Sequence, residues 1–156
     1  MRASRRQFLK DFAGAGFALT PIAAALLAGC KRAAELPEGM VEIKYDRDTC
    51  VRCSMVISDR RFAAQLSGGP KQQSYKFDDI GCVVHWLDQQ DWGKDPAVRI
   101  WVADSQDQSW LDARKAWYVG GKASPMGYNF AAVRGNVAGA LDFQQTREHL
   151  LAKDKS

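Results

Sequence analysis

Cys50-Val51-Arg52-Cys53-Ser54-Met55 places two thiols and a thioether within one short stretch of a chain that has only four cysteines. Such sulfur donors are soft and select monovalent copper over magnesium, calcium or manganese, so the first chemistry to consider is a copper(I) site. Two residues between Cys50 and Cys53 let a tight turn bring both sulfurs to one ion, but the same spacing serves zinc, iron–sulfur clusters and disulfides. Structural zinc uses four nitrogen or sulfur ligands, and no second Cys-x-x-Cys or closely spaced histidine pair is present. Met55 shifts the set toward copper(I), although methionine is also a common core filler. Met126, in the Pro/Gly loop Ser124-Pro125-Met126-Gly127-Tyr128, is a second thioether able to complete the cluster.

Cys82 and His85 are further ligand candidates. They fall side by side on a helical wheel, but each also has an ordinary structural role, as a small buried apolar group and as a core histidine. The main rival to metal binding is a Cys50–Cys53 disulfide, used structurally or for thiol–disulfide exchange. Against exchange, no long helix follows the pair to lower a thiol pKa. No acid, base and nucleophile constellation and no phosphate-binding loop appears, so the expected activity is not enzymatic.

The amino terminus reads as a targeting segment. Ser4-Arg5-Arg6-Gln7-Phe8-Leu9-Lys10 has the form of a twin-arginine export signal, and residues 12–28 are apolar and uncharged. That run is shorter than the roughly 20 residues a spanning helix prefers. It ends in Leu27-Ala28-Gly29-Cys30, which resembles a lipobox, so residues 1–29 are expected to be cleaved and Cys30 to carry lipid as an anchor rather than bind metal. Iron–sulfur clusters would then lack their four cysteines. Removing the segment takes away Arg2, Arg5, Arg6, Lys10 and Asp11, and with them most of the net charge of +4. The near-neutral remainder has no basic stripe for nucleic acid. Residues 30–40, with Pro37 and Gly39, read as a lipidated tether, and the folded part would lie on the periplasmic side of a bacterial membrane, expected to be the outer one.

The elements that must position the sulfurs follow from hydrophobic period. Val41, Ile43 and Tyr45 alternate with charged residues as a strand leading to Cys50. Short strands are expected at 56–57, 62–66 and 74–77, around a Gly68-Gly69-Pro70 loop. Asp78 is then a plausible N-cap for a helix with Ile80, Val83, Val84 and Leu87 on one face. Residues 98–102 read as a strand and 104–109 as a loop. Further strands are expected at 117–119 and 129–133, and a last helix from near Asp142 presents Phe143, Leu150 and Leu151. The pattern is α+β, two ββαβ-type halves packed together (41–103 and 104–156), each too small to stand alone.

The chain resembles the NosL family of accessory proteins for nitrous oxide reductase maturation. The resemblance rests on the Cys-x-x-Cys-x-Met cluster, Asp59-Arg60-Arg61-Phe62-Ala63-Ala64-Gln65, Phe77-Asp78-Asp79-Ile80-Gly81-Cys82, Ala116-Trp117-Tyr118-Val119 and Pro125-Met126-Gly127-Tyr128. It implies a lipid-anchored periplasmic protein of two ββαβ halves that binds Cu(I) through Cys50, Cys53, Met55 and Met126. The implied recipient is nitrous oxide reductase or its maturation machinery, for assembly of the copper–sulfide centre. Ser54 departs from the family motif, which usually has glycine there.

Overall fold

The computed structural model describes residues 36–153. The export signal, Cys30 and the start of the tether lie outside the described residues. Strand β1 (Ala64–Gly68) is buried along its whole length and is the centre of the larger sheet. It pairs antiparallel with β2 (Gln73–Phe77) on one side and with β3 (Arg99–Ala103) on the other, placing Ala64 between Phe77 and Val102. Strand β4 (Trp110–Asp112) extends this sheet beyond β3, giving the order β2-β1-β3-β4. The β1–β2 hairpin turns at Gly69, whose φ of +78° suits glycine.

Helix α1 (Ile80–Asp88) follows β2 directly and packs on β1 and β2. Its N-cap is Asp79, whose carboxylate accepts from the Gly81 N–H at 2.9 Å, not Asp78 as expected. The apolar face of Ile80, Val83, Val84 and Leu87 is buried as its period predicts. The opposite side is covered as well: Cys82 and His85 are both buried.

A second, two-stranded sheet is formed by β5 (Trp117–Gly120) and β6 (Phe130–Val133). Tyr118 anchors it from the core, donating its hydroxyl to the Ala113 carbonyl at 2.7 Å. Helix α2 (Phe143–Lys153) begins where the sequence places it. Asp142 accepts from the Gln145 N–H at 2.8 Å while the Gln145 side chain accepts from the Asp142 N–H at 3.1 Å, a reciprocal capping box. Leu150 and Thr146 of α2 are buried, and α2 packs against α1 and β5.

Among the described residues the architecture is therefore α+β, two antiparallel sheets and two helices. Several expectations change, among them the strand at 56–57, where Val56 forms only an isolated bridge with Thr49. Among the described residues no strand follows α2, and β4, too short to be read from alternation, joins the larger sheet. Residues 41–45 alternate as expected, with Ile43 buried and Val41 exposed, yet they form no strand. The buried Gln65 side chain takes the place of a strand neighbour: its carbonyl accepts from Val41 N–H at 3.1 Å and its amide donates to Val41 C=O at 2.6 Å. The chain then turns at once, with Asp48 N–H bonded to Lys44 C=O and the Asp48 carboxylate to Lys44 N–H. Among the described residues no helix is long and apolar enough to cross a membrane.

Candidate metal centre

The sulfur loop is shaped by its own backbone. Thr49 and Val56 pair as an isolated bridge, Cys50 N–H bonds Met55 C=O at 2.8 Å, and Ser54 N–H bonds Cys50 C=O at 2.9 Å. Closing so tight a turn puts Ser54 at φ 62°, left-handed backbone that costs a non-glycine residue about 1–2 kcal/mol. The loop is fastened to β2, where Val51 N–H bonds the Lys76 carbonyl and the Lys76 ammonium bonds Asp48 at 2.5 Å. Cys50 faces inward at 1% exposure, Cys53 is half-buried, and Met55 stands at the surface at 49%.

The opposite wall is the start of α1. With Asp79 used as the cap, Asp78 is left to face the loop, and its buried carboxylate accepts the Cys53 thiol proton at 3.4 and 3.6 Å. Cys82, one turn into α1, lies against Cys50. The sulfurs of Cys50, Cys53 and Cys82 and a carboxylate oxygen of Asp78 all lie within 4.8 Å of one another. Two sulfurs sharing an ion through bonds of about 2.3 Å are at most about 4.6 Å apart, so only a small contraction is needed to close on a metal. All three cysteines are free thiols.

Their protonation is uneven. The S–H of Cys82, with help from the N–H groups of Cys53 and Asp78, stabilises a Cys50 thiolate and brings its pKa down to about 6 against the penalty of burial. Burial pushes Cys53 up to about 11, reinforced by the neighbouring Cys50 and Asp78 charges. Cys82 is pushed far up because it donates to Cys50 and is itself buried. One thiolate cradled by donors, beside two thiols able to exchange protons for metal, makes this cluster a candidate cation site.

The loop carrying Met126 is bound to the same wall. Ser124 donates its hydroxyl to Asp79 at 2.5 Å and accepts from Asn129 N–H at 2.9 Å, and the Met126 N–H also reaches the Asp79 carboxylate. Burial raises the Asp79 pKa, partly offset by these hydrogen bonds. Tyr128 lies on α1 at Gly81, where a Cβ would come within 2.2 Å of the ring, and stacks on His85 at 5.2 Å. Its hydroxyl accepts from Arg52 at 2.7 Å, so one of the two residues between the loop cysteines holds the second loop in place.

Of the residues singled out in the sequence, the fold draws together Cys50 and Cys53 and adds Cys82 to them. His85 is not part of this group, and its ring is used in packing against Tyr128. Met55 flanks the cluster on the same loop, and the half-buried Met126 sits on a loop fixed to the residue beside Asp78. Asp78 itself was missed as a site residue. The signal was the Asp78-Asp79 doublet, since a helix start uses one capping carboxylate and the other must go elsewhere.

A family model described as NosL matches residues 41–148. Among solved structures, the fold is similar to the crystal structure of the copper chaperone NosL from Shewanella denitrificans, with a TM-score of 0.50 and 18% sequence identity over 75% of this chain and 89% of that one. At that identity the likeness is one of fold. No curated protein matches the sequence.

Proposed function

This chain belongs to the NosL family, and from that membership we propose that it is a copper(I) carrier, not an enzyme, which supplies copper to nitrous oxide reductase or its maturation machinery. Cys50 and Cys53 provide thiolates, and Met55 and Met126 thioethers for passing the ion on. The protein works on the periplasmic side of a bacterial membrane, held there by lipid on Cys30. The observation that carries the reading is the convergence of three free thiols on one point, with a methionine exposed beside them. Copper(I) tolerates two to four soft ligands without strict geometry, so a recipient can take it by exchanging one sulfur at a time.

Asp78 supplies a fourth donor that the sequence reading lacked, which makes a tetrahedral zinc site the competing reading. Thiol–disulfide exchange is disfavoured because the thiol with the lowered pKa, Cys50, is buried, while the accessible Cys53 is raised, the reverse of what a nucleophile needs. A cleft of about 510 Å³ is lined by residues such as Arg61, Phe62, Lys122 and Val133 and contains none of the sulfurs.

The test is an anaerobic titration of reduced protein with copper(I) against a chromophoric chelator, with zinc as competitor. One tight copper site that excess zinc does not displace, and that Cys53→Ser weakens by at least about tenfold, is the expected result. Equal affinity in wild type and Cys53→Ser, or displacement by zinc, overturns the proposal.

A further inference from the structure

Resting on the reading that Cys30 carries lipid, we infer that the surface at the root of the tether is a membrane-contact face. Leu36, Val41, Tyr45 and Trp110 enter the headgroup layer of the bilayer, and Arg60 pairs with its phosphates. Six positions separate Cys30 from Leu36. A chain of that length spans at most about 22 Å, so an anchored protein keeps Leu36 within that distance of the lipid to which it is joined.

The surroundings of Leu36 suit such a place. Leu36, Val41, Tyr45, Arg60 and Trp110 line one open hollow of about 210 Å³. Leu36 and Val41 are 38% and 41% exposed although both side chains are large and apolar, and Tyr45 and Trp110 are half-buried. Tyrosine and tryptophan are enriched where a membrane meets water, because each joins an apolar ring to a polar edge. Arg60 lies over the Tyr45 ring at 4.0 Å. Its neighbour Asp59 is taken by Arg61 at 2.7 Å, and among the described residues no carboxylate pairs with Arg60. A guanidinium held on a ring keeps N–H groups for phosphate oxygens. Glu42 also lines the hollow and is exposed, so its carboxylate can turn to water at the rim.

The face is small, but the tether removes the need for a large one. A short flexible linker holds its two ends at about millimolar effective concentration, so contacts too weak to bring a free protein to a bilayer suffice for one already tethered. The contact also has a stiff base. Val41 is bonded through its N–H and C=O to the Gln65 side chain on β1, so lipid contact at Val41 orients the sheet rather than bending a loose segment. The anchored domain thereby keeps one side toward the lipid.

The test uses the full chain made with its own export signal, checked by mass for lipid on Cys30 and reconstituted in phosphatidylethanolamine–phosphatidylglycerol vesicles. Lipids brominated near the headgroup quench tryptophan fluorescence at short range, and Trp110, one of five tryptophans, is identified by difference. The native sequence should be quenched. The quenching should fall to about half or less in Trp110→Phe and, independently, in Val41→Asp combined with Arg60→Glu, with flotation on the vesicles unchanged. The second variant alters only exposed side chains, so a folding defect in the first does not decide the matter. Undiminished quenching in either variant, or none in a native protein that floats, overturns the inference. Protection from aqueous acrylamide without quenching by brominated lipid means that a protein covers this face, and overturns it too. Absence of lipid on Cys30, or of flotation, overturns the anchor reading, and this inference falls with it.

Discussion

Cys50 and Cys53 are three positions apart and differ in protonation because hydrogen bonds to Cys50 outweigh its burial, while burial dominates at Cys53. Cys50 collects donors and is brought down to about 6, while burial, with the neighbouring Cys50 and Asp78 charges, pushes Cys53 up to about 11, and Cys82 is raised as well. At neutral pH the apo cluster therefore holds one thiolate and two protons. Loading copper onto all three sulfurs displaces those two protons, so log Ka should rise by about two per pH unit between roughly pH 6.5 and 8.5. Below about 6 the Cys50 proton begins to compete as well, and affinity should fall more steeply as the pH is lowered. Potentiometric or competition titrations across this range check it; a slope of about one would mean that only one of the two protonated thiols becomes a ligand. None of this inequality can be read from a Cys-x-x-Cys spacing, since it arises from a third cysteine and two N–H groups brought in by the fold. The Asp78-Asp79 doublet was likewise ambiguous, because adjacent carboxylates before a helix differ only in which one the backbone turns toward Gly81.

Helix α1 connects the sulfur loop to the rest of the fold. Its first turn carries Asp79, Gly81 and Cys82, which respectively hold the Met126 loop, admit the Tyr128 ring and contribute to the cluster. Gly81→Ala would improve helix propensity by about 1 kcal/mol. It would also place a methyl group within 2.2 Å of ring atoms that have no flexible end to yield. Overpacking of this kind costs about 1–3 kcal/mol, so the net effect expected is destabilisation with displacement of the Tyr128 loop. Chemical denaturation gives the first quantity, and slower copper release to a chelator, as Met126 is carried away, reports the second. The helix itself was legible because its apolar positions repeat over two full turns. Strand β4, only three residues long, offered too few positions for a period to show. The alternation at 41–45 was real but misleading: alternation reports which side chains are buried, and here a glutamine side chain rather than a neighbouring strand satisfies the backbone.

At the scale of the described fold, the candidate metal centre lies where loops from both parts of the chain meet, with Arg52 bonded to Tyr128 across 76 positions and Ser124 to Asp79 across 45. The ingredients of this meeting were visible as two sulfur-bearing loops, but their convergence is a property of tertiary packing that no local pattern encodes. Larger-scale cohesion also depends on Gln65, which is fully buried on the central strand and binds Val41 through both ends of its amide. Gln65→Ala leaves those backbone groups without their partner and should cost about 1–3 kcal/mol. Hydrogen exchange at Val41 should rise along with the loss of stability; unchanged protection there would show that the residues are held some other way.

The same glutamine has a mechanical meaning. Its two bonds to Val41 are joined by Ser74 to the Gly39 carbonyl and Arg99 to Glu38, so residues 38–41 are riveted to three neighbouring strands, β2, β1 and β3. A pull on the amino end is thus shared across the sheet instead of peeling the chain away toward Cys50. Displacement of the chain at Glu38 would thus be damped in the sheet before it reached the cluster of Cys50, Cys53 and Cys82.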